Sequence, residues 1–88
     1  MKTVYILKHI HRMTEIVAVF SDVKKAEQAF SLFSDYIESR YPTLNVEQAQ
    51  GHEIQEKWYR NMKNGHVIKL EETKLFTDLE QFKKMIIE

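Results

Sequence analysis

The residues of this 88-residue chain best suited to chemistry at neutral pH are its four histidines, His9, His11, His52 and His66. His9 and His11 stand two apart, so they share a face if the strand that holds them runs on. Two imidazoles so placed can ligate a divalent metal. Glu15, just across a hairpin, can be a third ligand, and His52 or His66 can complete the set. A polar strand end carries the same pair without any metal, and His9 alone suits a half-buried core position. His9 and His11 therefore stand as weak metal candidates, and no metal or cofactor is expected. The chain has no cysteine, which removes thiolate nucleophiles, disulfides and Cys-ligated zinc or iron–sulfur sites.

Other catalytic arrangements find little support. Ser21, Ser31, Ser34 or Ser39 pair with a histidine only as any chain of this size allows. Two glycines are too few to build a phosphate-cradling loop, and no strained nucleophile turn is visible. Glu71 and Glu72 are adjacent, so on a strand they face opposite ways and cannot share a proton. Glu53 and Glu56, with Lys57 and Arg60, read as a solvated helical face with internal ion pairs. The chain is read as non-enzymatic.

The stretch Lys57-Trp58-Tyr59-Arg60-Asn61-Met62-Lys63-Asn64-Gly65-His66 is the most distinctive. On a helix, Lys57, Arg60 and Asn64 align on one side and Ile54, Trp58 and Met62 on another. Cations beside aromatics are what single-stranded nucleic acid needs. The plainer alternative makes Trp58 and Met62 core and the cations the wet side. Trp, Tyr, Arg and Met are also enriched at protein interfaces. Tyr36, Tyr41 and Tyr59 flank the apolar stripes, and Lys24 and Lys25 occupy a first helical turn where the dipole disfavours them. The expected partner-binding set is Trp58, Tyr59, Arg60, Lys63, Tyr41, Lys24 and Lys25, with nucleic-acid binding through 57–66 as the alternative.

Charge weighs against that alternative. Thirteen Lys and Arg balance thirteen Asp and Glu, and the balance holds within each half. A polybasic nucleic-acid binder carries a large positive excess. With 43% apolar and 30% charged residues the chain is an ordinary soluble domain, not a disordered one. No apolar run approaches the roughly 20 residues of a membrane span, and no signal-peptide core is present. One cytoplasmic domain over residues 1–88, with no membrane partner, is expected. Ten aromatics in so small a domain also point to a homodimer that hides some of them.

The elements that must position these residues follow from periodicity. Residues 3–10 and 15–20 are rich in β-branched and aromatic types and read as two strands, joined by a four-residue loop His11-Arg12-Met13-Thr14. Tyr5, Leu7 and His9 face one way; Val4, Ile6, Lys8 and Ile10 face the other. Ser21 is an N-cap with Asp22 beside it. Val23, Ala26, Phe30, Phe33 and Ile37 then form a helical stripe, widened by Ala29, Leu32 and Tyr36 and stopped by Pro42. Leu44-Asn45-Val46-Glu47 can begin a third strand, with Gly51 as a bend. Ile54, Trp58 and Met62 recur every four residues, which predicts a short helix ending near Gly65; the competitor is a hairpin with a type I′ turn at Asn64-Gly65. Either way His66–Leu70 is a strand. Thr77-Asp78-Leu79-Glu80 is a capping box between Thr77 and Glu80. It opens a final helix with Leu79, Phe82, Met85 and Ile86 as its stripe. The sum is an α+β fold: a mostly antiparallel sheet of three or four strands packed on one long helix, with a shorter C-terminal helix, in the order β-β-α-(β)-(α)-β-α.

Val4-Tyr5-Ile6-Leu7-Lys8-His9, a short loop, Ile16–Ser21 and then Lys25-Ala26-Glu27 opening a helix resemble a loose group of small uncharacterised bacterial and phage-borne proteins. Their pattern runs "VYxLxH", hairpin, "FSxxxKAE", helix. The likeness covers about residues 3–40 and takes in Trp58, and this chain departs from it near Ala18, where such proteins carry Gly. It implies a strand–strand–helix opening and transfers no catalytic residue. It further implies an accessory role directed at a host, such as an inhibitor of a bacterial defence system. The resulting expectation is a protein-interaction module that binds and blocks a partner.

Overall fold

The apolar alternation from Thr3 to Ile10 sustains a strand of ten residues, β1 (Lys2–His11), and its neighbour β2 (Met13–Phe20). The computed structural model describes residues 2–42 and 53–87. After the hairpin come α1 (Val23–Arg40), β3 (Ile54–Glu56), β4 (Tyr59–Asn61), β5 (Val67–Leu75) and α2 (Leu79–Ile87). The strands form one antiparallel sheet in the order β2-β1-β5-β4-β3. The fold is α+β as expected, with five strands in place of three or four. The third strand proposed at Leu44–Glu47, Gly51 and His52 all lie outside the described residues.

Local chemistry departs from expectation at each turn. β1 and β2 run through the anticipated four-residue loop, and His11 pairs directly with Met13. Arg12 alone makes the turn, at φ 72°, a region costly for a residue with a Cβ. Both helices are capped one residue later than expected. Asp22, not Ser21, accepts from the backbone N–H of Lys24 and Lys25. Asp78, not Thr77, accepts from Glu80 N–H. In each pair the carboxylate adds charge at the positive helix end, which the neighbouring hydroxyl lacks.

The largest correction lies between residues 54 and 66. The four-residue spacing of Ile54, Trp58 and Met62 does not make a helix; the segment is the hairpin β3–β4, turning at Lys57-Trp58. The hairpin serves Trp58 and Met62 as well, because Trp58, Arg60 and Met62 alternate toward α1 while Tyr59 and Asn61 face away; Ile54, opposite Asn61, faces away too and is exposed. The Asn64-Gly65 signal was the decisive one, though it builds a three-residue loop and not a type I′ turn. Gly65 N–H donates to Met62 C=O, Met62 N–H to His66 C=O, and Gly65 takes φ 88°. That is a type I turn closed by a left-handed glycine. Asn64 Oδ1 accepts from His66 N–H, and its Nδ2 donates to Tyr41 C=O, which ties the loop to the end of α1.

The core lies between α1 and one face of the sheet. Leu7, Ile68 and Leu70 meet Ala26 and Ile37 of α1, with Met62 beside them; Tyr5, Ala18, Phe20, Ala29, Phe30, Phe33 and Trp58 pack around this centre. The predicted helical stripe holds, except that Leu32 and Tyr36 point to solvent. The other face of the sheet carries Ile6, Lys8, Ile10, Ile16, Val19, Tyr59, Val67, Lys69 and Glu71, and no helix lies along it among the described residues. The long axis measures 54 Å. The nine-residue β5 of about 30 Å, the three residues after it and the nine-residue α2 of about 14 Å account for this length when laid end to end, which fits an α2 that extends beyond the end of the sheet. The radius of gyration, 16.2 Å, exceeds the roughly 12 Å of a fully compact chain of this length.

Leu7 and Ile68 are the largest fully buried side chains. Replacing either with Ala should cost about 2–5 kcal/mol in chemical denaturation, whereas Leu32→Ala should stay within about 0.5 kcal/mol. Equal losses at the three positions would contradict the assignment of the core.

Candidate functional site

β1 and β5 run antiparallel with His9 opposite Ile68, so the residue just before β5 falls beside the end of β1. That residue is His66. His9 Nε2 and His66 Nδ1 lie 2.8 Å apart and share one proton in a hydrogen bond. The His11 ring stacks on His66 at 3.9 Å, and the Tyr41 ring, from the C-cap of α1, stacks on it at 4.6 Å. Phe33 meets His9 edge-on at 5.6 Å. The four side chains, with Met13 and Glu15, line a pocket of about 260 Å3. Three of the four histidines thus gather, as the metal reading required. Their rings stack face to face, however, and one nitrogen from each of two rings is spent on the other. Among the described residues no group of three His, Asp or Glu is arranged to hold a metal ion. Sequence reasoning named Tyr41 as a partner-binding residue and His66 as a possible fourth ligand, but not their stacking together; the β1–β5 register brings His66 there and the end of α1 brings Tyr41.

Burial pushes the His66 imidazole down to about 4, and positive charge on His11 or His9 pushes the same way. Burial also lowers His9, and Glu15 opposes the shift. His66 and His9 are therefore neutral at pH 7.

The predicted partner-binding residues do not form one surface. Trp58 is half-buried against the core, edge-on to Tyr5 at 6.0 Å, and its Nε1–H donates to Glu27 at 3.0 Å. The Lys57 ammonium sits 5.3 Å from the Trp58 ring and 3.8 Å from Glu27. Arg60 lies under α1 with its side chain 13% exposed; it bonds Glu38 at 2.7 Å and has Asp35 and Glu53 at 3.9 Å. Tyr59, one residue away, is on the opposite face of the sheet, since adjacent strand residues alternate. Lys24, Lys25 and Lys63 are exposed, on the first turn of α1 and in the β4–β5 loop. Tyr41 belongs to the histidine column. An open, mainly apolar depression of about 420 Å3 lies along Glu56, Lys57, Trp58, Tyr59, Lys69 and Leu70.

The surface feature with most physical consequence is a different one. Met13, Ile16, Val17 and Val19 are exposed along β2, an edge strand, and Leu79, Phe82, Met85, Ile86 and Ile87 are exposed along α2. No residue of α2 is buried. An alternating strand pattern and an amphipathic helix pattern each signal an apolar face. Neither says whether anything in the same chain will cover it.

The unfolded chain holds His66 near the ordinary 6.5, so between that value and about 4 it binds more protons than the fold does. Stability is then complete above about pH 6.5 and is lost progressively as pH falls toward 4, by an amount on the order of 2–3 kcal/mol. Glu71, held down by hydrogen bonds from Lys69 and Lys8, adds its own loss at lower pH, as that carboxylate protonates. His66→Gln should flatten the slope between pH 6.5 and 4.5 in urea titrations. An unchanged slope would show that the column is protonated without cost.

No protein-family model, no curated protein and no solved structure matches this chain.

Proposed function

We propose that the protein is a non-enzymatic protein-interaction module that acts in the cytoplasm by binding and blocking a partner protein, in the manner of a phage-type accessory inhibitor of a host defence system. The observation that carries this reading is the uncovered apolar surface. Large apolar side chains in contiguous sets, on an edge strand and on a free helix, mark surfaces that are covered in use. β2 offers unpaired backbone groups along its outer side together with Met13 and Val17, which suits addition of a partner strand. The acid–base groups favour the same reading, since His9 with His66, Lys8 and Lys69 with Glu71, and Arg60 with Glu38 are spent on one another.

Nucleic-acid binding through 57–66 is the weaker reading. In the hairpin Lys57 and Arg60 are drawn to carboxylates, Trp58 faces the core, and no run of exposed cations alternates with stacked aromatics. No helix among the described residues is long and apolar enough to cross a membrane.

Affinity capture from nuclease-treated bacterial lysate tests the proposal. The protein should retain a defined partner after nuclease treatment, and Val17→Lys on the β2 edge should lose it by tenfold or more while melting normally. A salt-sensitive gel shift, abolished by replacing Lys57, Arg60 and Lys63 together, would move the assignment to nucleic acid.

A further inference from the structure

We propose that two copies of this chain form a two-fold dimer by reciprocal exchange of α2, each helix lying on the open sheet face of the other copy. The inference deepens the interaction-module reading and rests on it, by naming one of the surfaces the module uses and what covers it.

The chain carries both halves of one contact and joins neither to the other. On the helix, Leu79, Phe82 and Ile86 lie along one side, flanked by Met85 and Ile87, and these five side chains are 41–79% exposed. On the sheet, the face turned away from α1 carries Ile16 and Val19 exposed and Ile6, Ile10 and Val67 half-buried, with Val4 buried toward its Lys2 end. Among the described residues no helix lies along this face and no residue of α2 is buried, so a layer is missing from the one and a floor from the other. The geometry keeps the two apart within a chain. β5 ends at Leu75, opposite Lys2; after Phe76-Thr77-Asp78 α2 makes little contact with any strand or with α1, and the 54 Å long axis fits a helix that runs on past the sheet. A helix that overshoots the end of its own sheet is placed to reach the sheet of a neighbour whose same end faces it.

Size fits a second copy. The five helical side chains expose on the order of 500 Å2, so covering them in both copies removes about 1,000 Å2 from water before the sheet face beneath is added, enough to reach the range of specific interfaces. Closed two-fold pairing is the commonest way for identical chains to satisfy a self-complementary surface. The formal net charge is zero, so no long-range repulsion opposes the approach of a like chain. On the sheet face Lys8 and Lys69 close on Glu71 at 2.7 Å each, and on α2 Lys83 lies 3.6 Å from Glu80, so the fit between helix and sheet is apolar.

Light scattering should give twice the 10.6 kDa chain mass at high concentration. Phe82→Asp/Ile86→Asp on the helix and Val19→Asp on the sheet face should each return the mass to one chain while the core still melts cooperatively. The chain has no cysteine of its own, so single-cysteine chains report the pairing directly. Chains with Ile86→Cys mixed with chains carrying Val19→Cys should give a mixed disulfide in preference to either homodimeric one. A single-chain mass at every concentration overturns the proposal. So does a dimer that survives Phe82→Asp/Ile86→Asp, which would place the interface elsewhere. Preferred Ile86→Cys self-pairing would mean helix against helix. An internal disulfide in a dilute chain carrying both cysteines would mean that α2 folds onto its own sheet. A monomer that still captures its blocked partner defeats the exchange alone; a dimer that captures none defeats the blocking role alone.

Discussion

The antiparallel pairing of β1 with β5 is the constraint on which the rest of the molecule depends. It runs through nine residue pairs, from Lys2 with Leu75 to Ile10 with Val67, and joins two hairpins that would be marginal alone. Leu7 opposite Leu70 and His9 opposite Ile68 supply the sheet side of the core. The same register delivers His66 to His9 and so assembles the aromatic column under the end of α1. Paired residues of the two strands lie far apart in sequence, as Ile10 and Val67 do, so their meeting closes a long loop, and α1, packed over both, repays that entropy by burying Ala26 and Ile37.

One helix is enough for one face. α1 lays its stripe across β1, β2 and β5 and leaves the opposite side of the sheet without a helix among the described residues. The resulting asymmetry explains the long shape, the exposure of β2 and the bare helix α2 as one fact. The polar side chains fit this picture. Arg60 is threaded under α1 and fixed by acidic residues of that helix. Trp58 is fixed by Glu27, and the three lining histidines by each other and by Tyr41. The ionisable groups with the most unusual surroundings hold elements together, and the surface left free to act is apolar.

Much of this was legible in the sequence, and the failures are instructive. The α1 stripe could be read because five apolar residues at alternating spacings of three and four fit a helix and nothing else. β1 and β2 could be read because β-branched residues dominate them. The segment around Trp58 misled because every-fourth-residue spacing is also every second step of a strand. Trp58 and Met62 cannot separate the two periods, and the choice fell to Asn64-Gly65, whose left-handed glycine closes the β4–β5 loop; Ile54 joined them by spacing alone and faces away, opposite Asn61. Caps went astray by one residue where a hydroxyl and a carboxylate stood side by side. The candidate site was less legible than the fold. His9 and His11 were visible as a pair, but their partners His66 and Tyr41 come from positions that only the register and the end of α1 bring near. That the stripe of α2 would stay bare depends on the direction in which the chain leaves β5, and no local pattern encodes that.

The central claim is that α1 completes the core with one face of the sheet and that no described residue of the chain buries α2. Amide hydrogen exchange measured in dilute and in concentrated solution tests it most directly. β1 and β5 should exchange slowest under both conditions, while α2 should exchange almost freely when dilute and gain protection as concentration rises. Strong protection of α2 in dilute solution, unchanged by concentration, would contradict the account.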